Sequence, residues 1–479
     1  MKKYLTDYFS QENITLTLWI VIVLSIGAKN QSFETVNFIK IINQLRYLFI
    51  PIILPILLIY FTKKKIIKIN NSIVYKNFFV IFASLQLILS LIGFFNFKFF
   101  NENLYFYSLL SENPYKPNFL YALYYPLSFF IVSIFFFLYI KKEFIDKIIV
   151  ATIIITLIIT IYSLYLVYSD YLKFEHIIFY YSNTLNFSDT LGNPNIRVTS
   201  LARMLCILLI FSSLFYLTNK KKTITVLGLI LIYFILVNLY LLQSRTSLYF
   251  GIVVVCFILF KRFNPVIAII IGLMFFSSLK PISINVYLIK EKFRDSNVMI
   301  VDRFKSIEEN QKDKDTKIKK MKDNVFFNLR QNNKINDEMD YEKKLRSIST
   351  GRSHIWKKIY SASITKSNNF IFGYGPMSDR FLTNQNASSG WMYMLITTGI
   401  LGLLSFLFLY FEILFNFFRY IVKNKFRENK INTSVIIIIF LLFRTIVENS
   451  FLVFGYDFCI FILSYFILQN FKFANQNRK

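Results

Sequence analysis

Apolar residues in this chain come in long unbroken blocks, separated by short clusters rich in Lys, Asn and acidic residues. Neither the strict alternation of a half-buried strand nor the one-sided stripe of a soluble helix dominates. A helix that crosses a bilayer needs roughly 20 mostly apolar residues, with about 17 as the usual lower limit. On that criterion spans are predicted near 11–28, 47–62, 77–97, 119–140, 147–167, 201–218, 223–242, 247–260, 264–279, 391–416, 433–451 and 455–471. The eighth and ninth are short, and Lys261 and Arg262 between them predict two separate crossings.

The fold class expected is all-α: a polytopic membrane protein of about 12 transmembrane helices with a large extracytoplasmic loop between spans 9 and 10. Three parts follow: a bundle of spans 1–9 over 1–279, the loop over 280–390, and spans 10–12 over 391–479. Short loops on the cytoplasmic side carry excess Lys and Arg. With the N-terminus inside, the inner segments hold Lys63, Lys64, Lys65, Lys220, Lys221, Lys222, Arg419 and Lys423 among others. The short outer ones hold only scattered cations such as Lys29, Arg46 and Arg245. Both termini are therefore placed in the cytoplasm, and the protein in a bacterial cytoplasmic membrane as a multi-pass chain.

Within the large loop, 290–349 is highly polar and lacks Gly and Pro, as in a polar helical or partly disordered insertion. From Thr350 the texture changes. A helix is predicted with an apolar face of Ile355, Trp356, Ile359, Tyr360 and Ile364, then a turn at Gly373, Gly375 and Pro376. Trp391 opens the next span as an interfacial aromatic.

Composition agrees with this picture. Of 479 residues 55% are hydrophobic and only 17% charged, against roughly 25% charged in soluble domains. The net charge of +28 fits lysine-rich inner loops and an AT-rich coding bias, and a basic surface also suits anionic lipids or phosphate-bearing substrates. No soluble basic domain or aromatic-basic module points to nucleic acid. Cys206, Cys256 and Cys459 lie far apart inside apolar blocks, as small buried hydrophobes do. With 2 histidines there is no metal-ligand cluster, and no cofactor is expected.

Ionisable residues at membrane depth cost about 2.5–3.5 kcal/mol at a helix centre. Arg197 and Arg203 flank the start of the sixth span, Arg245 sits in the tight turn between the seventh and eighth, and Arg444 and Glu448 share a face of the eleventh. Each has an ordinary explanation: an arginine near a helix end snorkels to the headgroups, and Arg444 and Glu448 neutralise each other. Together they describe guanidiniums converging on the outer leaflet, which suits a lipid-linked pyrophosphate because Arg stays charged and pairs bidentately.

At these positions the chain resembles the O-antigen polymerase and O-antigen ligase superfamily. The resemblance rests on Arg197-Val198-Thr199-Ser200-Leu201-Ala202-Arg203, on Ser244-Arg245, and on Gly351-Arg352 with Trp356. It continues through Asn369-Phe370-Ile371-Phe372-Gly373-Tyr374-Gly375-Pro376 and the span from Trp391 through Gly399-Ile400-Leu401-Gly402. It implies a GT-C-like fold and metal-independent glycosyl transfer from an undecaprenyl pyrophosphate-linked oligosaccharide. In that scheme Arg203 and Arg245 meet the pyrophosphate, while Arg197, Arg352 and Arg444 help bind substrate. Glu448 is the candidate base, with His354 and Asp457 as competitors. Membrane lipids are partners, and a chain-length regulator is a partner by analogy. Ligases of the family carry a histidine about eleven residues before the glycine that matches Gly399, where this chain has Ser388. Polymerase is therefore the first expectation. Ligase-type transfer to a lipid or protein, and a lipid-linked glycan transporter, remain as alternatives.

Overall fold

The computed structural model describes residues 10–27, 46–68, 78–96, 119–173, 198–218, 222–242, 244–295, 352–364, 367–379, 387–424 and 429–476. The side chains of Arg245, Arg352, His354 and some other residues at helix ends fall outside that description. The described residues are helical, with no strand among them.

In chain order the helices are α1 (Gln11–Gly27), α2 (Leu54–Lys63, preceded by a π-helical turn at Phe49–Ile53), α3 (Phe78–Asn96), α4 (Phe119–Tyr139) and α5 (Ile145–Lys173). Then come α6 (Val198–Thr218), α7 (Lys222–Leu241), α8 (Arg245–Arg262) and α9 (Pro265–Asp295). The remainder are α10 (Arg352–Ile364), α11 (Ser367–Phe372), α12 (Gly390–Asn424), α13 (Asn429–Val447) and α14 (Tyr456–Gln476). Each apolar block of the sequence falls on one of these helices. Four helical stretches, Arg46–Lys63, Lys142–Tyr165, Gly390–Val422 and Lys430–Val447, are long and apolar enough to cross a membrane by length and composition.

The polarity of the bundle is inverted relative to a soluble protein. On α5, Thr152, Thr156, Thr160 and Ser163 are buried while Ile154, Ile158, Ile161 and Tyr165 are exposed. Three of the four buried hydroxyls bond back to the helix carbonyl four residues earlier. Thr152 also accepts from Trp19 Nε1 of α1 at 2.9 Å, and Thr156 bonds the Tyr456 hydroxyl of α14. Outward faces are apolar elsewhere too: Val266, Ile267, Ile270, Leu273 and Met274 on α9, and Phe408, Phe411, Phe415 and Phe418 on α12. Apolar patches of this extent do not face water in soluble monomers. The molecule is a membrane-embedded helical protein.

Two helices differ from the sequence expectation. α9 continues to Asp295 rather than ending near 279 and carries Pro281 inside it; the stretch between Pro281 and Asp295 holds no glycine or proline to stop it. α10 buries Ile359 and half-buries Ile355 and Trp356, whereas Tyr360 and Ile364 are exposed. Its buried face is thus narrower than the periodicity suggests.

The helix α12 is broken where its sequence reads as continuous. Gly399 has φ 67° and ψ −166°, a region essentially restricted to glycine. At the break, the Ile396 carbonyl accepts from the Tyr374 amide at 2.8 Å and the Thr397 carbonyl from the Gly375 amide at 2.9 Å. Non-helical backbone at membrane depth survives only where protein satisfies its polar groups, and the turn after α11 does so here. The Ser378 hydroxyl adds a third bond, to Ile396 O at 3.1 Å.

The segment that leads into this turn is clamped from its own side. The Tyr374 hydroxyl donates to Ala362 O at 2.7 Å, the Trp356 indole donates to Ala387 O at 3.0 Å, and the Ala387 amide donates to the buried Asp379 at 2.9 Å. Trp356→Phe keeps an aromatic ring, though a smaller one, and removes the indole donor to Ala387 O. A net loss of about 1 kcal/mol is expected, seen as a small fall in the thermal midpoint in detergent with an unchanged elution profile.

Candidate functional site

The starts of α6, α8 and α14 and the end of α13 meet at one end of the bundle, and four of the charges singled out in the sequence meet there. Arg203, in the second turn of α6, lies 2.8 Å through its Nε from an Asp457 carboxylate oxygen, with side chains 15% and 3% exposed. Asp457 is in the first turn of α14, where the helix dipole favours negative charge. Arg444, in the last turn of α13, is 1% exposed and pairs with Glu448, which is 29% exposed.

These two pairs are neighbours. α6 packs against both α13 and α8. Arg444 reaches Ser247 Oγ of α8 at 3.4 Å and acts electrostatically on the buried Cys206, one turn along α6 from Arg203. Ser247 lies two residues after Arg245, so the first turn of α8, which Arg245 opens, stands beside Arg444. The side chain of Arg245 lies outside the described residues, and so do those of Arg352 and His354 at the start of α10. Arg197 lies outside them altogether.

The pairing has a physical logic. A buried guanidinium without a counter-charge is expensive, and removing one partner of a buried pair costs several kcal/mol. Asp457 and Glu448 allow Arg203 and Arg444 to stand at low exposure. Asp457 is therefore engaged as the counter-ion of Arg203. Glu448, more exposed and at the point where α13 unwinds, is the more open of the two carboxylates.

A cleft of ≈ 30 Å³ lies beside this end, between α3, α4 and α12, and is lined in part by Gln86, Ser90, Tyr125, Tyr393, Thr397 and Thr398. That is space for one or two waters. The segment of α12 just before the Gly399 break lines the cleft with the Thr397 and Thr398 hydroxyls, opposite Gln86 and Ser90 of α3.

Two further polar groups were not among the candidate site residues. Arg46, just before the π-helical turn, is buried at 4% exposure, although it reads as a loop cation. Glu412 on α12 accepts from the Tyr465 hydroxyl at 3.0 Å and Gln469 Nε2 at 3.1 Å, both on α14, and from Asn416. It lies about 30 Å along α12 from Gly390 at 1.5 Å per residue, so it joins two helices far from the arginine end. A carboxylate within an apolar block was a legible signal. Among the described residues no group of His, Cys, Asp and Glu is arranged to hold a metal ion.

The site thus belongs to a membrane-embedded helical protein that gathers paired charges at one end of its bundle. No protein-family model, curated protein or solved structure matches the chain.

Proposed function

We propose that this protein polymerises lipid-linked oligosaccharide repeat units at the outer face of a bacterial cytoplasmic membrane, taking an undecaprenyl pyrophosphate donor and no metal. The observation that carries the proposal is the pair of low-exposure arginines, Arg203 and Arg444, each matched to a carboxylate, Asp457 and Glu448, on packed helices at one end of the bundle. The sequence resemblance supplies the substrate class. In this reading α1–α9 and α12–α14 are the spans, both termini are cytoplasmic, and the arginine end faces outward.

In the reaction, an acceptor sugar hydroxyl attacks the anomeric carbon of the donor. The new C–O bond forms as the bond from that carbon to the diphosphate oxygen breaks. Charge builds on the leaving diphosphate, where Arg203, Arg444 and Arg245 stabilise it. The hydroxyl proton passes to a base, for which Glu448 is best placed because it stands beside Arg444 and is partly open. Asp457 positions Arg203.

The test uses purified protein in nanodiscs, a synthetic undecaprenyl pyrophosphate oligosaccharide, and EDTA throughout. A ladder of longer lipid-linked products is expected. Transfer to an added lipid acceptor with no ladder would replace polymerase by ligase, and movement of the lipid across vesicles with neither product would replace it by a transporter. Arg245→Ala is expected to abolish the ladder while leaving membrane insertion and elution unchanged; a full ladder would remove Arg245 from the site.

A further inference from the structure

We infer that Arg46 is a further phosphate-binding residue of this site, gripping a lipid-borne phosphate from the α2 side; the assignment to substrate rests on the function proposed above. Arg46 is buried at 4% exposure, and among the described residues it has no carboxylate partner. It donates through Nη2 to the Tyr47 hydroxyl at 2.6 Å, while its buried Nε has no hydrogen-bond partner there.

Its surroundings are aromatic. The guanidinium lies 4.5 Å from the Tyr47 ring centre and 6.0 Å from that of Tyr124, and the two rings meet edge to face at 4.6 Å. Cation–π contact offsets part of the cost of a desolvated cation, but a ring face is only a weak acceptor for an N–H. A guanidinium held by faces, with an N–H edge left over, suits a ligand that brings oxygens and negative charge together. Phosphate does so, and its oxygens match the arginine fork.

The position joins Arg46 to the charges already described. Tyr124 packs edge to face on Phe454 at 5.8 Å, and Phe454 packs on Phe458 at 5.4 Å. Phe454 belongs to the short segment that links Glu448 to Asp457. The starts of α2 and α4 therefore close on the same end of the bundle as Arg203 and Arg444. A diphosphate joins two phosphoryl groups through one bridging oxygen, with charged non-bridging oxygens on each, so guanidiniums on opposite sides of it are chemically matched.

The experiment measures binding of two probes to the purified full chain by native mass spectrometry: undecaprenyl pyrophosphate and phosphatidylglycerol. Arg46→Gln is expected to weaken undecaprenyl pyrophosphate by at least about tenfold, in line with loss of a charge-assisted hydrogen bond, and to leave phosphatidylglycerol within about twofold. Loss of phosphatidylglycerol alone would keep the phosphate chemistry but make its source a membrane lipid headgroup. No change for either probe would overturn the inference. The double variant Arg203→Gln with Asp457→Asn, which leaves no unpaired buried charge, separates the two claims. If it weakens the pyrophosphate and Arg46→Gln does not, only the role of Arg46 falls; if neither does, the proposed function falls with it. Should Arg46→Gln fail to fold, Arg46→Lys keeps the charge without the fork. It is expected to bind the pyrophosphate more weakly than wild type, and wild-type affinity in that variant would overturn the bidentate grip.

Discussion

Gly399→Ala is expected to give a protein that inserts but does not stay folded and monodisperse in detergent. Two effects add. The backbone at Gly399 lies at φ 67° and ψ −166°, where a side chain costs on the order of 1–3 kcal/mol. A Cβ there would also sit 2.2 Å from Ile371 O and 2.6 Å from Gly373 N, so the turn that satisfies the broken helix must move. Overpacking of this kind costs roughly 1–3 kcal/mol more, and the carbonyls of Ile396 and Thr397 lose their amide partners as the turn retreats. Gly455→Ala is the control, because its nearest neighbour is Val453 O at 3.7 Å. Size-exclusion profile and thermal midpoint, measured on both variants, check the expectation. Equal behaviour would mean that the break in α12 is not fixed by the turn.

That break also shows where sequence stops determining the fold. The helices were legible because apolar blocks of sufficient length leave the backbone no other way to satisfy itself in lipid. Residues 391–416 read as one such block, and the block does end up helical, but the interruption at Gly399 is imposed by amides of Tyr374 and Gly375 from another segment. Nothing local to α12 signals it beyond the glycine itself. The charges followed the same rule. Arg203, Arg444, Glu448 and Asp457 stood out because each falls in or beside an apolar block, and the pair four residues apart was readable from helical spacing. The Arg203–Asp457 pair was not, since it joins helices far apart in the chain. Arg46 was hidden in the opposite way: it precedes its apolar block and looks solvated, yet it is buried and the Tyr47 and Tyr124 rings lie against it.

Arg203→Gln and Asp457→Asn, separately and together, separate holding an arginine from using it. Arg203→Gln leaves Asp457 with its charge at 3% exposure and its ion partner gone. Breaking a buried pair from one side costs about 3–5 kcal/mol, so this variant is expected to be strongly destabilised. Asp457→Asn leaves the cation at 15% exposure, which water screens in part, so its cost is smaller. In the double variant neither charge remains, an amide faces an amide, and most of the lost stability is expected to return. Such non-additivity is what a direct pair produces. Activity is expected to behave differently. If Arg203 stabilises charge on the leaving diphosphate, the double variant folds and still makes no ladder, with a loss of roughly 10²–10³ in rate for one electrostatic donor. If the pair is only a brace between α6 and α14, restoring stability restores the ladder. Thermal midpoint and product ladder, measured on the same four proteins, give the answer: a stable, fully active double variant would reduce Arg203 to architecture and leave the diphosphate to the other arginines.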